Sequence, residues 1–276
     1  MSTTATVRTS PAPVLSQDTP GQQLRLCLVV RTYSRQRRGF AALITSLLAA
    51  REGCGGNVSL TVDVFSTDDS VETGEQTRAD VTALGWQPAF KSTGFELITH
   101  KQMTDAERQA LYASACGSRR LLYDYGYLQS DAVLKRALTR TGSRECDYVM
   151  VTNGDNLYAR PWLDFTCPYM HRRIGLIGWY FSSHNAGIGA WGHVAHKQGK
   201  VERTGENVLF RTRLRKTWMD LGAVMIRADL LRGQHGEYIF TDCGPWREAD
   251  GRMIERLVQQ RNISEVVLDR LLFFHQ

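Results

Sequence analysis

The sequence predicts an α/β protein with a mostly parallel central sheet flanked by helices, and three stretches near its start carry that prediction. Leu26-Cys27-Leu28-Val29-Val30 is a short, continuous apolar run, β-branched at its end, which marks a strand buried on both faces. Phe40, Leu43, Ile44, Leu47 and Leu48 then recur at helical spacing, and Gly53, Gly55 and Gly56 close the pattern. Val58, Leu60, Val62 and Val64 alternate with polar residues, as a half-buried strand does. Strand, helix and strand in this order form a βαβ unit, whose crossover is right-handed.

The chain has 276 residues, 42% hydrophobic and 22% charged, which suits a globular domain rather than a fibrous or disordered chain. Residues 1–23 are rich in Ser, Thr and Pro, carry one acid, and read as a disordered tail. The folded domain is expected over 24–276. Neither a signal-peptide core nor an apolar run of ~20 residues is visible, so a transmembrane segment is not expected. The net charge of +6 suits phosphate-bearing ligands, nucleic acid or an anionic membrane surface without choosing among them. Six cysteines, Cys27, Cys54, Cys116, Cys146, Cys167 and Cys243, lack Cys-x-x-Cys spacing and read as reduced thiols of a cytoplasmic protein.

Further along, Thr104-Asp105-Ala106-Glu107 is a capping box that starts a helix reaching about Cys116. Leu128, Val133, Leu134, Ala137 and Leu138 mark the next helix, which Gly142 stops. Tyr148 to Val151 is a second short buried strand, ending abruptly in Thr152-Asn153-Gly154-Asp155-Asn156. Ile174 to Phe181 and Trp218 to Arg227 are later strand candidates. Between them, residues 186–205 are rich in Gly, His and Trp and read as a loop over a site, with His184, His193 and His196 too irregularly spaced for a metal cluster. Arg211, Arg213, Arg215 and Lys216 place a basic stripe on one face of a strand. Met253, Ile254, Leu257 and Val258 mark a last amphipathic helix, preceded by Glu248 and Asp250.

Two places point to chemistry. In open α/β sheets ligands sit at the carboxyl ends of the strands. Asp155 stands at such an end, beside a glycine that admits close backbone approach, and a carboxylate so placed can hold a metal against a phosphate. The plain alternative is an Asn-Gly turn with solvated side chains. Arg31 and Arg35 follow the first strand, where guanidinium can meet phosphate, while Gly-x-Gly-x-x-Gly, the usual dinucleotide fingerprint, is absent from that turn.

Asn153-Gly154-Asp155 resembles the Asp-x-Asp motif of GT-A-fold, nucleotide-sugar-dependent glycosyltransferases, with Asn in the first acidic position. The resemblance runs in family order from about Leu24 to Gln276. It implies a single GT-A-like, Rossmann-type domain, with a nucleotide-binding half over 24–158 and an acceptor-binding half over 159–276. It implies transfer of a sugar from a nucleoside-diphosphate sugar, UDP favoured, to a hydroxyl of a glycan, lipid or protein acceptor. Mn²⁺ or Mg²⁺ would be held by Asp155 and the C-terminal His275. Thr32 and Tyr33 would wall the nucleoside, Asp68 would reach the base, and Arg31 and Arg35 the phosphates. Tyr127, Asp131, Asn153, Gly154, Asp220 and Gly222 would line the donor. Asp250 would act as general base of an inverting transfer, with Glu248 as the substitute candidate, and a retaining course follows if Asp250 does not reach the acceptor. Two other readings stand beside this one: a sugar-phosphate nucleotidyltransferase, and a non-enzymatic nucleic-acid-binding protein using Arg211 to Lys216. The expected location is cytoplasmic, with peripheral membrane contact through the basic surface left open.

Overall fold

A computed structural model of the protein describes residues 6–8, 23–33, 36–67, 95–101, 103–117, 124, 126–183, 201–204, 207–216, 218–232, 239–241, 243, 249–260 and 263–275. The strands are β1 (Thr6–Arg8), β2 (Leu24–Thr32), β3 (Val58–Ser66), β4 (Phe95–Thr99), β5 (Tyr148–Asn153), β6 (Leu157–Tyr158), β7 (Leu176–Ser183), β8 (Val201–Thr204), β9 (Asn207–Phe210), β10 (Val224–Arg227) and β11 (Glu265–His275). The helices are α1 (Arg37–Arg51), α2 (Asp105–Cys116), α3 (Tyr127–Leu138), α4 (Trp162–His171) and α5 (Ala249–Gln260). None is long and apolar enough to cross a membrane.

The main sheet runs β1-β11-β7-β10-β5-β2-β3-β4. Strands β5, β2, β3 and β4 pair in parallel, and so do β7 and β11. Strand β10 is antiparallel to both its neighbours, so it reverses direction between two groups that point the same way. The expected mostly parallel sheet is therefore present, with β10 as its internal exception.

Strand β2 shows why its sequence is a continuous apolar run. Leu26, Leu28 and Val30 face α1 and α4, whose Phe40, Leu43, Ile44, Leu47, Trp162 and Met170 form one core layer. Cys27 and Val29 face the other layer, built on Leu128 and Leu134 of α3 and Met253, Ile254 and Leu257 of α5. Strand β3 departs from the half-buried reading. Its polar residues Ser59, Thr61 and Asp63 are buried as well. Asp63 is matched there by Arg140, whose Nη1 lies 2.9 Å from its carboxylate, and by His100 Nε2 at 2.7 Å. The capping box forms as expected: Glu107 N–H donates to Thr104 Oγ1 at 3.2 Å, and Thr104 N–H to Glu107 Oε2 at 2.7 Å.

Three expectations are corrected. Within the tail read as disordered, Thr6–Arg8 pairs antiparallel with Glu265–Val267, because β11 offers an open sheet edge. The basic stripe is not a strand: β9 ends at Phe210 and residues 211–216 turn, with Arg213 N–H donating to Trp218 O at 3.1 Å. The guanidiniums of Arg213 and Arg215 lie 4.2 and 4.5 Å from the Trp218 ring, a cation–π arrangement. The cysteines are not free thiols. They pair as Cys27–Cys146, Cys54–Cys167 and Cys116–Cys243, over sequence separations of 119, 113 and 127 that no local spacing rule exposes.

Candidate active site

The parallel strands β2 and β5 end side by side, with Arg31 in register with Asn153. Arg31 Nε donates to Asn153 Oδ1 at 2.6 Å, and Gly154 N–H donates to Arg31 O at 2.8 Å. Asn153 thus orients a guanidinium. Arg31 also lies over the Tyr127 ring, 4.7 Å from its centroid. Gly154 is required by space: a Cβ there would lie 2.6 Å from Thr32 Oγ1 and 2.7 Å from Thr32 Cβ. Thr32 is accordingly buried, while Tyr33 is exposed.

Asp155 follows in the turn between β5 and β6. Gly39, in the first turn of α1, packs against it so closely that a Cβ would lie 2.7 Å from its Cα. Strand β11 brings the other end of the chain to the same place. It pairs antiparallel with β6, Phe273 against Tyr158 and Phe274 against Leu157, and parallel with β7 to His275 against Ser183. Asp155 Oδ1 and His275 Nδ1 are both buried without a hydrogen-bond partner. His275 Nδ1 lies 3.8 Å from Asp220 Oδ2, too long for a direct hydrogen bond. Buried lone pairs without donors are rare, and carboxylate oxygen with imidazole nitrogen is a donor set that suits Mn²⁺ or Mg²⁺. By their chemistry these donor types fit such an ion.

The floor beneath them is tightly built. Asp220 Oδ1 accepts from Gly222 N–H at 2.8 Å. A Cβ on Gly222 would lie 2.5 Å from Phe273 Cζ, so the glycine lets β11 close over this turn. The Tyr158 hydroxyl donates within reach of Thr152 Oγ1 (2.8 Å) and Gly222 O (3.1 Å), and Asn156 Nδ2 donates to Thr152 Oγ1 at 2.8 Å. Tyr158, Asn156 and Gly39 were not expected from the sequence. The one signal was Gly39 itself, a glycine inside a helical pattern, which often marks close approach.

Asp250 sits half-buried in the first turn of α5, with its Oδ1 accepting from Gly251 N–H at 2.7 Å. Burial and, next, the nearby Asp220 carboxylate raise its pKa from 3.8 to about 6, against the opposing pull of the Gly251 N–H and Arg31. Burial, then Asp250, also push the Tyr127 phenol well up, against Arg31. Arg31, Tyr127, Asp220 and Asp250 therefore share one electrostatic neighbourhood at the carboxyl end of the sheet.

Asp131, read from the resemblance as lining the donor, has its carboxylate engaged by residues 239–241. It is buried, and its carboxylate accepts the N–H groups of Ile239, Phe240 and Thr241 at 2.8 to 3.0 Å and the Thr241 hydroxyl at 2.7 Å. Those four donors make it a clamp for residues 239–241 against α3. Burial, against those same hydrogen bonds, raises its pKa to about 6. Arg35, Asp68 and Glu248, with His184, His193 and His196, lie outside the described residues.

The fold is thus an α/β domain with Arg31, Asn153, Asp155, Asp220 and His275 near the carboxyl ends of its strands. Among solved structures, the chain is similar to residues 1–349 of TarS from S. aureus, with a TM-score of 0.52 and 12% identity over 92% of this chain and 60% of that one. It is similar to the same TarS fragment in complex with UDP (TM-score 0.50, 14% identity, 91% and 60% covered). The complex of that fragment with UDP-GlcNAc matches alike (TM-score 0.50, 14% identity, 91% and 58% covered). This chain thus spans about 60% of the TarS fragment, and a likeness at identity this low shows the fold alone. No protein-family model and no curated protein matches the chain.

Proposed function

We propose that the protein is a glycosyltransferase that moves a sugar from a nucleoside-diphosphate sugar to an acceptor hydroxyl. The observation that carries this reading is that Asp155 Oδ1 and His275 Nδ1 are each buried without a partner, Asp155 in the turn before β6 and His275 at the end of β11, strands that pair with each other. The likeness to TarS, solved with UDP and with UDP-GlcNAc, makes a UDP-sugar the first donor to test.

Asp155 and His275 would hold Mn²⁺ or Mg²⁺, which when bound neutralises charge on the diphosphate leaving group. Arg31, fixed by Asn153, adds a guanidinium donor for a phosphate oxygen. Thr32 and Tyr33 flank the nucleoside, and Tyr127 and the Asp220–Gly222 turn lie on the sugar side. Asp250 accepts the acceptor proton. With a pKa of about 6 it is still ionised at neutral pH, and it is a stronger base than an ordinary carboxylate. The acceptor oxygen forms the new bond to the anomeric carbon as the bond to the diphosphate breaks, and the diphosphate takes the electron pair. In-line attack of this kind inverts the anomeric centre.

The test is a thermal-shift panel of UDP-, GDP- and TDP-sugars, each with and without Mn²⁺. A ligand that binds the folded state raises the melting temperature by mass action. A metal-dependent rise with one nucleotide is expected, and it should vanish in Asp155→Ala. A flat panel overturns the reading.

A further inference from the structure

The second cluster of metal-ligating side chains lies away from the sugar-nucleotide site, where α1 ends. Cys54 opens the short turn that follows α1, and Cys167 and His171 lie one turn apart on α4. That i, i+4 spacing puts both on one face of the helix. The two Sγ atoms and the imidazole nitrogen lie within 4.8 Å of one another. Cys54 Sγ is 3.8 Å from His171 Nε2. Two ligands bonded tetrahedrally to zinc at ~2.3 Å (sulfur) and ~2.05 Å (nitrogen) are about 3.6 Å apart. The imidazole is already placed at that distance.

The backbone is held for such a site. Cys54 N–H donates to Asp164 Oδ1 at 2.8 Å, and Gly53 admits the same carboxylate, since a Cβ there would lie 2.9 Å from Asp164 Oδ1. Cys167 is buried, whereas Cys54 and His171 are half-buried, so water can reach a fourth coordination position. The Cα atoms of Cys54 and Cys167 are 5.8 Å apart. Side-chain rotation alone can then separate the sulfurs to tetrahedral spacing.

We propose that Cys54, Cys167 and His171 form a redox-gated Zn²⁺ site, closed while Cys54 and Cys167 are disulfide-bonded and open once that bond is reduced. A dithiol supplies the two electrons: its thiolate attacks one sulfur, the Cys54–Cys167 bond breaks, and the reductant closes its own disulfide. Two thiols remain on the protein. Zn²⁺ then displaces both thiol protons to solvent and forms two Zn–S bonds and one Zn–N bond, with water completing the tetrahedron. An imidazole nitrogen 3.8 Å from Cys54 Sγ and the half-exposure of Cys54 make this pair open to exchange and to metal. Cys27–Cys146, by contrast, is buried in the sheet core.

Co²⁺ serves as the probe, because thiolate ligation gives it a charge-transfer band that oxygen and nitrogen ligands do not. The full chain is titrated before and after reduction by a phosphine that does not chelate metal. The expected result is one Co²⁺ per reduced chain with a thiolate band, displaced by Zn²⁺, and no such band without reduction. His171→Asn should weaken binding by about 10-fold or more, on the scale of ligand-shell losses. The double variant Cys54→Ser with Cys167→Ser should lose the band. A band that persists in that variant, that survives His171→Asn at full affinity, or that is absent from the reduced chain overturns the proposal. His171→Asn alters a half-buried side chain, so it keeps the test informative if the double variant does not fold.

Discussion

At the scale of the residue, Asp250 joins two behaviours. As the proposed base it must be ionised, so turnover should fall as pH drops through about 6. Asp250→Asn should lower kcat by ~10²–10⁴-fold while leaving donor affinity near that of the parent. Steady-state kinetics with a donor titration separates the two, and lost donor affinity would remove the base assignment. The same carboxyl sets a stability term. Its folded pKa of about 6 lies above its ordinary 3.8, so the folded state holds the proton more tightly. That contribution is fully present below about pH 4 and is lost as pH rises to about 6. Relative to the parent, Asp250→Asn should therefore melt higher at pH 7 and gain nothing at pH 4. Gly154 makes a separate point about space. Gly154→Ala would press a Cβ into Thr32 and should destabilise by about 1–3 kcal/mol in urea unfolding. Unchanged unfolding would mean that Thr32 moves aside freely.

At the scale of the element, legibility followed how local the cause was. Strand β2 could be read because a parallel strand buried on both faces needs an unbroken apolar run, and α2 because its capping box lies within four residues. Asp155 and His275 could be assigned to one site only through a resemblance, since β11 returns to β6 across the whole second half of the chain. The partners of Asp131 were hidden for the same reason. An acid early in a helix has a local explanation in the helix dipole, yet its partners lie 108 to 110 residues downstream. Asp63 likewise hid in an alternating pattern because Arg140, 77 residues away, matches it inside the core. Asp131→Ala should leave four donors short of an acceptor. With an unsatisfied buried group costing about 1–3 kcal/mol, the loss should exceed about 3 kcal/mol. Chemical denaturation of Asp131→Ala beside Asp131→Asn checks this, because Asn keeps an acceptor oxygen and should lose less.

At the scale of the whole molecule, the disulfides decide where the chain can persist. Six cysteines allow 15 pairings, and none could be chosen from spacing. In the fold, the pairs join elements distant in sequence: Cys27 of β2 with the segment before β5, the turn after α1 with α4, and the end of α2 with Cys243. Each closes a loop of more than 100 residues, for which the chain-entropy account gives about 4–5 kcal/mol of constraint on the unfolded state. Disulfides persist in oxidising compartments and are rare in the cytosol, so the pairing state of these cysteines tests the cytoplasmic location read from the sequence. Alkylating the denatured, unreduced chain should label none of the six cysteines, and reduction before alkylation should label all of them. The reduced chain should also melt well below the oxidised one. If six thiols react without reductant, the cysteines are packed as free thiols and the cytoplasmic reading returns. A Co²⁺ thiolate band without reduction would then overturn the redox gating proposed at Cys54, Cys167 and His171. Labelling of Cys54 and Cys167 alone would instead show that this pair exchanges while the other two staple the fold.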